Sequence, residues 1–171
     1  MKVLGIVGSL RKESYNLKLA NLIKDNIDYE MEIVTLENIP MFNEDLEYPA
    51  PKSVLELRDK VLNSDLIWIF SPEYNNGIPG VLKNTLDWLG RPRSEELGQV
   101  MSKKKVILSG VTPGKFGTIN AYNDLVQLMV FLNTNLMARP RLTIPNAEFN
   151  LTPDNHFIQD AIKALDRFIK Q

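Results

Sequence analysis

At 171 residues the chain fits the roughly 100–200 residues of one domain, long enough to bury a core without a disulfide or metal staple. Hydrophobic residues make up 44% and charged residues 24%, with a formal net charge of −1 and no block of like charges long enough for a nucleic-acid arm or an acidic tail. Cysteine is absent and the one histidine is His156, which excludes thiolate chemistry and cysteine-ligated metals and argues against a Ser-His-Asp triad or a multi-histidine metal site.

Met1 and Lys2 precede an apolar run from Val3 to Val7, too short for the core of a signal peptide. No stretch nears the roughly 18 apolar residues of a membrane-spanning helix. A soluble, unexported, cytoplasmic protein is expected. Val3 to Val7, Leu66 to Phe70 and Val106 to Leu108 are apolar on successive residues and bounded by polar or turn residues. Strands buried on both faces, as in a parallel sheet covered by helices, read this way. Glu30 to Leu36 and Arg139 to Ile144 are weaker strands, nearer the edges. Lys103, Lys104 and Lys105 read as the solvated start of a strand.

Helical patterns lie between the strands. Leu17, Ala20, Ile23 and Ile27 share one face, as do Val54, Leu57, Val61 and Leu62. Pro79 suits the first position of a helix reaching Leu89. A fourth helix is expected from about Thr118 to Met137. A last one, capped by Thr152 with Pro153 at its first position, places Phe157, Ile158, Ala161, Ile162, Leu165, Phe168 and Ile169 at helical spacing, with His156 in solvent. The order β-α repeats five times, predicting one parallel sheet with helices on both faces. The segment from Pro40 to Pro51 is a longer loop rather than a linker, so residues 1–171 form a single domain. In such sheets ligands bind beyond the carboxyl ends of the strands, where the strand order reverses.

The loop after the first strand, Gly8 to Asn16, crowds hydroxyls, an amide and a guanidinium ahead of a helix start. Two readings fit. Ser9, Ser14, Asn16 and Arg11 could bind a phosphate at the positive end of the helix. Alternatively, Ser14 merely caps the helix and Arg11 lies in solvent. The spacing of Gly5 and Gly8 matches neither a dinucleotide fingerprint nor a nucleotide P-loop. The loop after the third strand, Ser71 to Gly80, is stiffened by Pro72 and Pro79, with Gly77 for a turn and Tyr74 and Asn75 to meet a planar heterocycle. An ordinary strand-to-helix turn is the other reading. Glu73 has no evident partner. The loop from Ser109 to Thr118 holds Gly110, Gly114 and Gly117, which would let a ligand approach the backbone.

GSLRKESYN at residues 8–16 and SPEYNNGIPGVLKNTLDW at 71–88 resemble the NADPH-dependent FMN reductase family, which includes quinone, azo-dye and chromate reductases. Pro40-Met41-Phe42-Asn43-Glu44-Asp45-Leu46 is similar too. The third loop departs from the pattern at Thr112 and Thr118, where serine and a second glycine are usual. The resemblance implies a flavodoxin-like, doubly wound, five-stranded parallel sheet in three α/β/α layers. It implies that Ser9, Arg11, Ser14 and Asn16, joined by Tyr15, hold the FMN phosphate. Pro72, Glu73, Tyr74, Asn75 and Gly77 would border the isoalloxazine ring, with Thr112, Gly114 and Gly117 near its pyrimidine edge. Reducing equivalents would pass from NADPH or NADH to a quinone, azo compound, free flavin or metal oxyanion. Under this scheme no side chain is needed as proton donor or nucleophile. Lys12, Lys83, Arg91, Arg93 and Lys115 are all candidates for an NADPH 2′-phosphate.

A flavodoxin-type electron carrier or a flavin-binding sensor is the alternative, and the near-zero net charge argues against the carrier, which typically is strongly acidic. Neither a nucleic acid nor a membrane is an expected partner. The expected fourth helix is too widely apolar for one sheet face, with Asp124 its only charge, which predicts a partner surface. The resemblance also implies homodimers, with a homotetramer as the larger alternative.

Overall fold

The computed structural model describes residues 1–94 and 96–170. β1 (Lys2–Val7) is flanked by β2 (Glu30–Val34) on one side and β3 (Leu66–Phe70) on the other. β4 (Lys105–Val111) follows, and the outermost position is shared by β5 (Asn135–Leu136) and β6 (Leu142–Ile144). The order is therefore β2-β1-β3-β4-β5, with every pairing parallel. The helices are α1 (Tyr15–Lys24), α2 (Lys52–Leu62), α3 (Gly80–Leu89), α4 (Ile119–Phe131), α5 (Ala147–Asn150) and α6 (His156–Ile169). This is the expected flavodoxin-like three-layer arrangement.

The central strands explain the layers. β3 is buried at every residue. Leu66, Trp68 and Phe70 pack with Leu19 and Ile23 of α1 and Ile158 and Leu165 of α6. Ile67 and Ile69 point the other way, against Leu57 of α2, Leu82 and Leu86 of α3, and Leu125 and Met129 of α4. Successive strand residues face opposite sides, so a strand between two helical layers must be apolar throughout. On α2 the buried face includes Arg58, which donates to the Trp88 carbonyl (2.9 Å), while Leu62 is exposed.

Four boundaries differ from expectation. α4 ends at Phe131 rather than Met137, because Asn133 adopts a left-handed conformation (φ 55°) and turns the chain into β5. Leu136 and Met137 continued the helical spacing but belong to the sheet region, where the Met137 N–H donates to the Val106 carbonyl (2.9 Å). The fifth strand position then breaks: Pro140 has no N–H for a ladder, and pairing resumes at Leu142. α6 is capped by Asn155, whose side chain accepts from the Phe157 N–H (2.9 Å), so Thr152 belongs to the preceding turn. α3 starts at Gly80, with Pro79 just outside it.

The lysine run is not simply solvated. Lys104 Nζ donates to the carbonyls of Leu62 (2.9 Å) and Ser64 (2.7 Å), at the end of α2. Lys105 Nζ donates to those of Phe168 (3.1 Å) and Ile169 (2.7 Å), at the end of α6. Both place a cation at the negative end of a helix. Burial pushes the Lys104 ammonium below its usual pKa, with the Asp65 carboxylate opposing the shift. Among the described residues no helix is long and apolar enough to cross a membrane.

Candidate functional site

The strand order reverses between β1 and β3, and the loops leaving their carboxyl ends diverge there. With the loop after β4 they enclose a cavity of ≈ 290 Å³. Ser9, Arg11, Ser14, Tyr15 and Asn16 line it from the first loop, Pro72, Glu73 and Tyr74 from the second, and Val111, Thr112 and Pro113 from the third.

Gly8 opens the first loop because the Leu82 side chain leaves no room there; a Cβ would lie 2.9 Å from its Cδ2. Ser14 is the N-cap of α1, with Oγ accepting from the N–H groups of Asn16 (3.2 Å) and Leu17 (3.4 Å). Its own hydroxyl proton is left to donate. The N–H groups of Lys12, Glu13 and Tyr15 take no partner among the described residues. Arg11 is exposed, lies over the Tyr15 ring (5.7 Å) and makes no ion pair among the described residues. Glu13 pairs with Lys18 instead (2.9 Å), which holds its carboxyl below the ordinary value. The capped helix and the donor set thus coexist. Amide N–H groups, hydroxyls and a guanidinium at a helix amino terminus fit a phosphate.

Asn16 sits differently. Its Nδ2 donates to the Val111 carbonyl (2.9 Å), and its Oδ1 accepts from the Val111 N–H (3.1 Å). One bond from each side-chain polar atom ties α1 to the end of β4, at a buried position.

In the second loop Tyr74 and Gly77 exchange two backbone hydrogen bonds (3.2 and 3.1 Å) around Asn75 and Asn76. Both asparagines are left-handed, φ 51° and 61°, as in a tight hairpin turn of type I′. The conformational freedom expected of Gly77 is therefore exercised by Asn75 and Asn76, while Gly77 faces Asp124. Tyr74 Oη lies 3.3 Å from Ser9 Oγ, linking the first two loops. Glu73 has a partner that no side-chain pattern announces. Its Oε2 accepts from the N–H groups of Asn120 (2.8 Å) and Ala121 (3.0 Å), the first turn of α4.

The third loop's glycines serve three purposes. A Cβ on Gly110 would fall on Thr118 Oγ1 and the Ser71 carbonyl, so packing demands that glycine, not a ligand. Gly117 is left-handed (φ 69°) and buried beside Thr143, away from the cavity lining. Gly114 is exposed, next to the lining residue Pro113. Val111 lines the cavity without a prior signal, being the last residue of an apolar strand. Phe116, on the same loop, and Phe149 are 88% and 80% exposed. α5, which bears Phe149, hangs on this loop through Ala147 N–H to the Thr112 carbonyl (3.0 Å). Of the candidate 2′-phosphate partners, Lys83 is held by Asp87 (2.7 Å), Arg91 by Glu47, and Arg93 by the Gly98 carbonyl (3.1 Å). Lys12 and Lys115 remain exposed on the cavity loops.

A family model described as NADPH-dependent FMN reductase matches residues 1–149. The chain belongs to that family. Among similar proteins, an NAD(P)H-dependent FMN reductase of Pseudomonas aeruginosa is 32% identical over 96% of this chain and 89% of its own length. A 2-hydroxy-1,4-benzoquinone reductase of a Burkholderia species is 29% identical over 99% of this chain and 92% of its own. Among solved structures, the flavoenzyme FerB of Paracoccus denitrificans, an NAD(P)H:(acceptor) oxidoreductase, superposes with a TM-score of 0.86 at 30% identity. That match covers 99% of this family member and 97% of FerB, so it includes α6, beyond the family model's last residue.

Proposed function

We propose that this family member binds FMN in the cavity and uses NADPH or NADH to reduce a small, quinone-type acceptor. One juxtaposition carries the reading. Unpaired donors gather at the start of α1, and the Tyr74–Ser9 contact joins them to a slot walled by Pro72, Tyr74 and the Val111–Pro113 segment. A phosphate belongs at the first part and a planar ring at the second. Flavin, when bound, supplies the redox chemistry, taking two electrons from the nicotinamide and releasing them to the acceptor.

The chain's residues bind and orient. Arg11, Ser9, Ser14 and the free N–H groups hold the phosphate, while Pro72, Tyr74 and Asn75 border the ring. Thr112 and Gly114 face the opposite edge from the third loop. Asn16 braces the floor by fixing Val111. Lys12 and Lys115 are the cations best placed for a 2′-phosphate, since both are exposed on cavity loops. A second copy of the chain covers the outer face of α4, where Val130 and Phe131 are 69% and 82% exposed. A cytoplasmic location suits a chain without cysteine.

The test is anaerobic stopped-flow. FMN-loaded protein mixed with NADPH or NADH should lose its flavin absorbance, and a quinone should restore it within one turnover. Bleaching by dithionite but by neither nicotinamide would refute the reductase reading.

A further inference from the structure

We infer that Glu73 is a positioning residue that holds the ring-side loop against α4 and screens the positive end of that helix from the flavin. The inference rests on the flavin reading above and concerns a side chain whose own role no sequence pattern states.

The geometry is specific. Thr118, the residue preceding α4, gives no side-chain cap, so the helix starts with bare N–H groups. Glu73, 47 residues before Asn120, supplies the missing acceptor with one oxygen on both the Asn120 and Ala121 N–H groups. The same residue lines the cavity, next to Pro72 and Tyr74. The contact is reinforced around it. Asn120 Nδ2 reaches Asn76 Oδ1 (3.5 Å), and Gly77 packs beside Asp124 on the next turn of α4. On its other side the loop is held by Tyr74 and Ser9. The turn from Tyr74 to Gly77 is thus slung between the phosphate loop and α4, with Glu73 as the anchor on the α4 side.

Two consequences follow from the charge. A helix amino terminus carries roughly half a positive charge, and a carboxylate bonded to it offsets that field. The reduced flavin is anionic, so an unscreened helix end beside it would favour reduction. Removing the Glu73 charge should therefore raise the reduction potential, whereas shortening the side chain while keeping the charge should not.

The experiment compares wild-type protein with Glu73→Gln, Glu73→Asp and Glu73→Ala. FMN affinity is measured by fluorescence quenching and the midpoint potential of the bound flavin by dye equilibration. Glu73→Gln keeps an acceptor oxygen for the helix and should bind oxidised FMN within a few-fold of wild type. Its preference for reduced over oxidised flavin should rise about tenfold, a positive shift of about 30 mV for a two-electron couple. Glu73→Asp should return the potential toward that of wild type. Amide exchange on flavin-free protein gives an independent check, since the Asn120 and Ala121 N–H groups should be protected in wild type and exchange faster in Glu73→Ala. Equal potentials in wild type and Glu73→Gln, or unprotected Asn120 and Ala121 in wild type, would overturn the assignment while leaving the flavin reading intact. Wild-type protein that binds no FMN would overturn the flavin reading and this inference together.

Discussion

Arg11 and Asn16 lie five residues apart on one cavity wall and fail in different ways when removed. Arg11 is exposed and unpaired, so Arg11→Ala should fold normally and lose about 1.5–3 kcal/mol of FMN binding, the usual worth of a hydrogen bond to a charged group. Riboflavin, without a phosphate, should bind both proteins alike in the same titration; an equal loss for both ligands would remove Arg11 from the phosphate. Asn16→Ala instead strands the N–H and carbonyl of buried Val111. Each unsatisfied group costs about 1–3 kcal/mol, so urea unfolding should shift to lower midpoints before any ligand is added. An unchanged midpoint would return Asn16 to the ligand. At this scale the sequence was informative about residue type and poor about partner. Ser14 is legible because a cap bonds its own helix two and three residues on. Glu73 and Asn16 are not, because their partners are backbone groups 47 and 95 residues away, and every residue has a backbone.

The elements were legible where burial alone decides them and misread where a single residue does. β1, β3 and β4 stand out because both faces are covered, and a run of apolar residues in succession, five of them in β3, is what such burial requires. The end of α4 was misread because Leu132, Leu136 and Met137 keep a helical spacing, while one left-handed asparagine overrides it. Likewise Thr152-Pro153 has the composition of a helix start, yet Asn155 holds the cap. The lysines at the start of β4 show the same dependence on distant backbone. Lys105 serves α6 across 63 and 64 residues of sequence. Lys105→Met keeps the apolar stem and removes the charge, and should cost about 1 kcal/mol. The loss should be local: amides of the final turn of α6 should exchange faster, while those of β4 keep their protection.

For the molecule as a whole, alternation of strand and helix specified a parallel sheet between two helical layers, with the doubly wound order added by the family resemblance. It could not specify what covers the outside. The apolar excess on α4 divides once the helix is seated. Tyr122, Leu125, Met129 and Leu132 turn inward, Leu128 is half-buried, and Val130 and Phe131 remain exposed. A test of the paired state therefore belongs at the last two. Phe131→Glu with Val130→Glu should halve the mass seen by sedimentation equilibrium at micromolar concentration without moving the circular-dichroism spectrum. Wild-type protein that sediments as one chain throughout would free this face from any role in pairing.

The interruption of the outermost strand position bears on how the molecule behaves in a crowd. An unbroken edge strand is a template for recruiting another chain through its unused N–H and carbonyl groups. Here that edge comes as two residues, then a gap containing Pro140, then three residues, too little continuous backbone to seed a foreign strand. The opposite edge, β2, places Glu30 and Glu32 outward, with Lys60 paired to Glu32. Filling the gap with a residue that can donate, as in Pro140→Val, should leave the cavity untouched yet make concentrated protein scatter light sooner on heating, as molecules begin to join sheet to sheet.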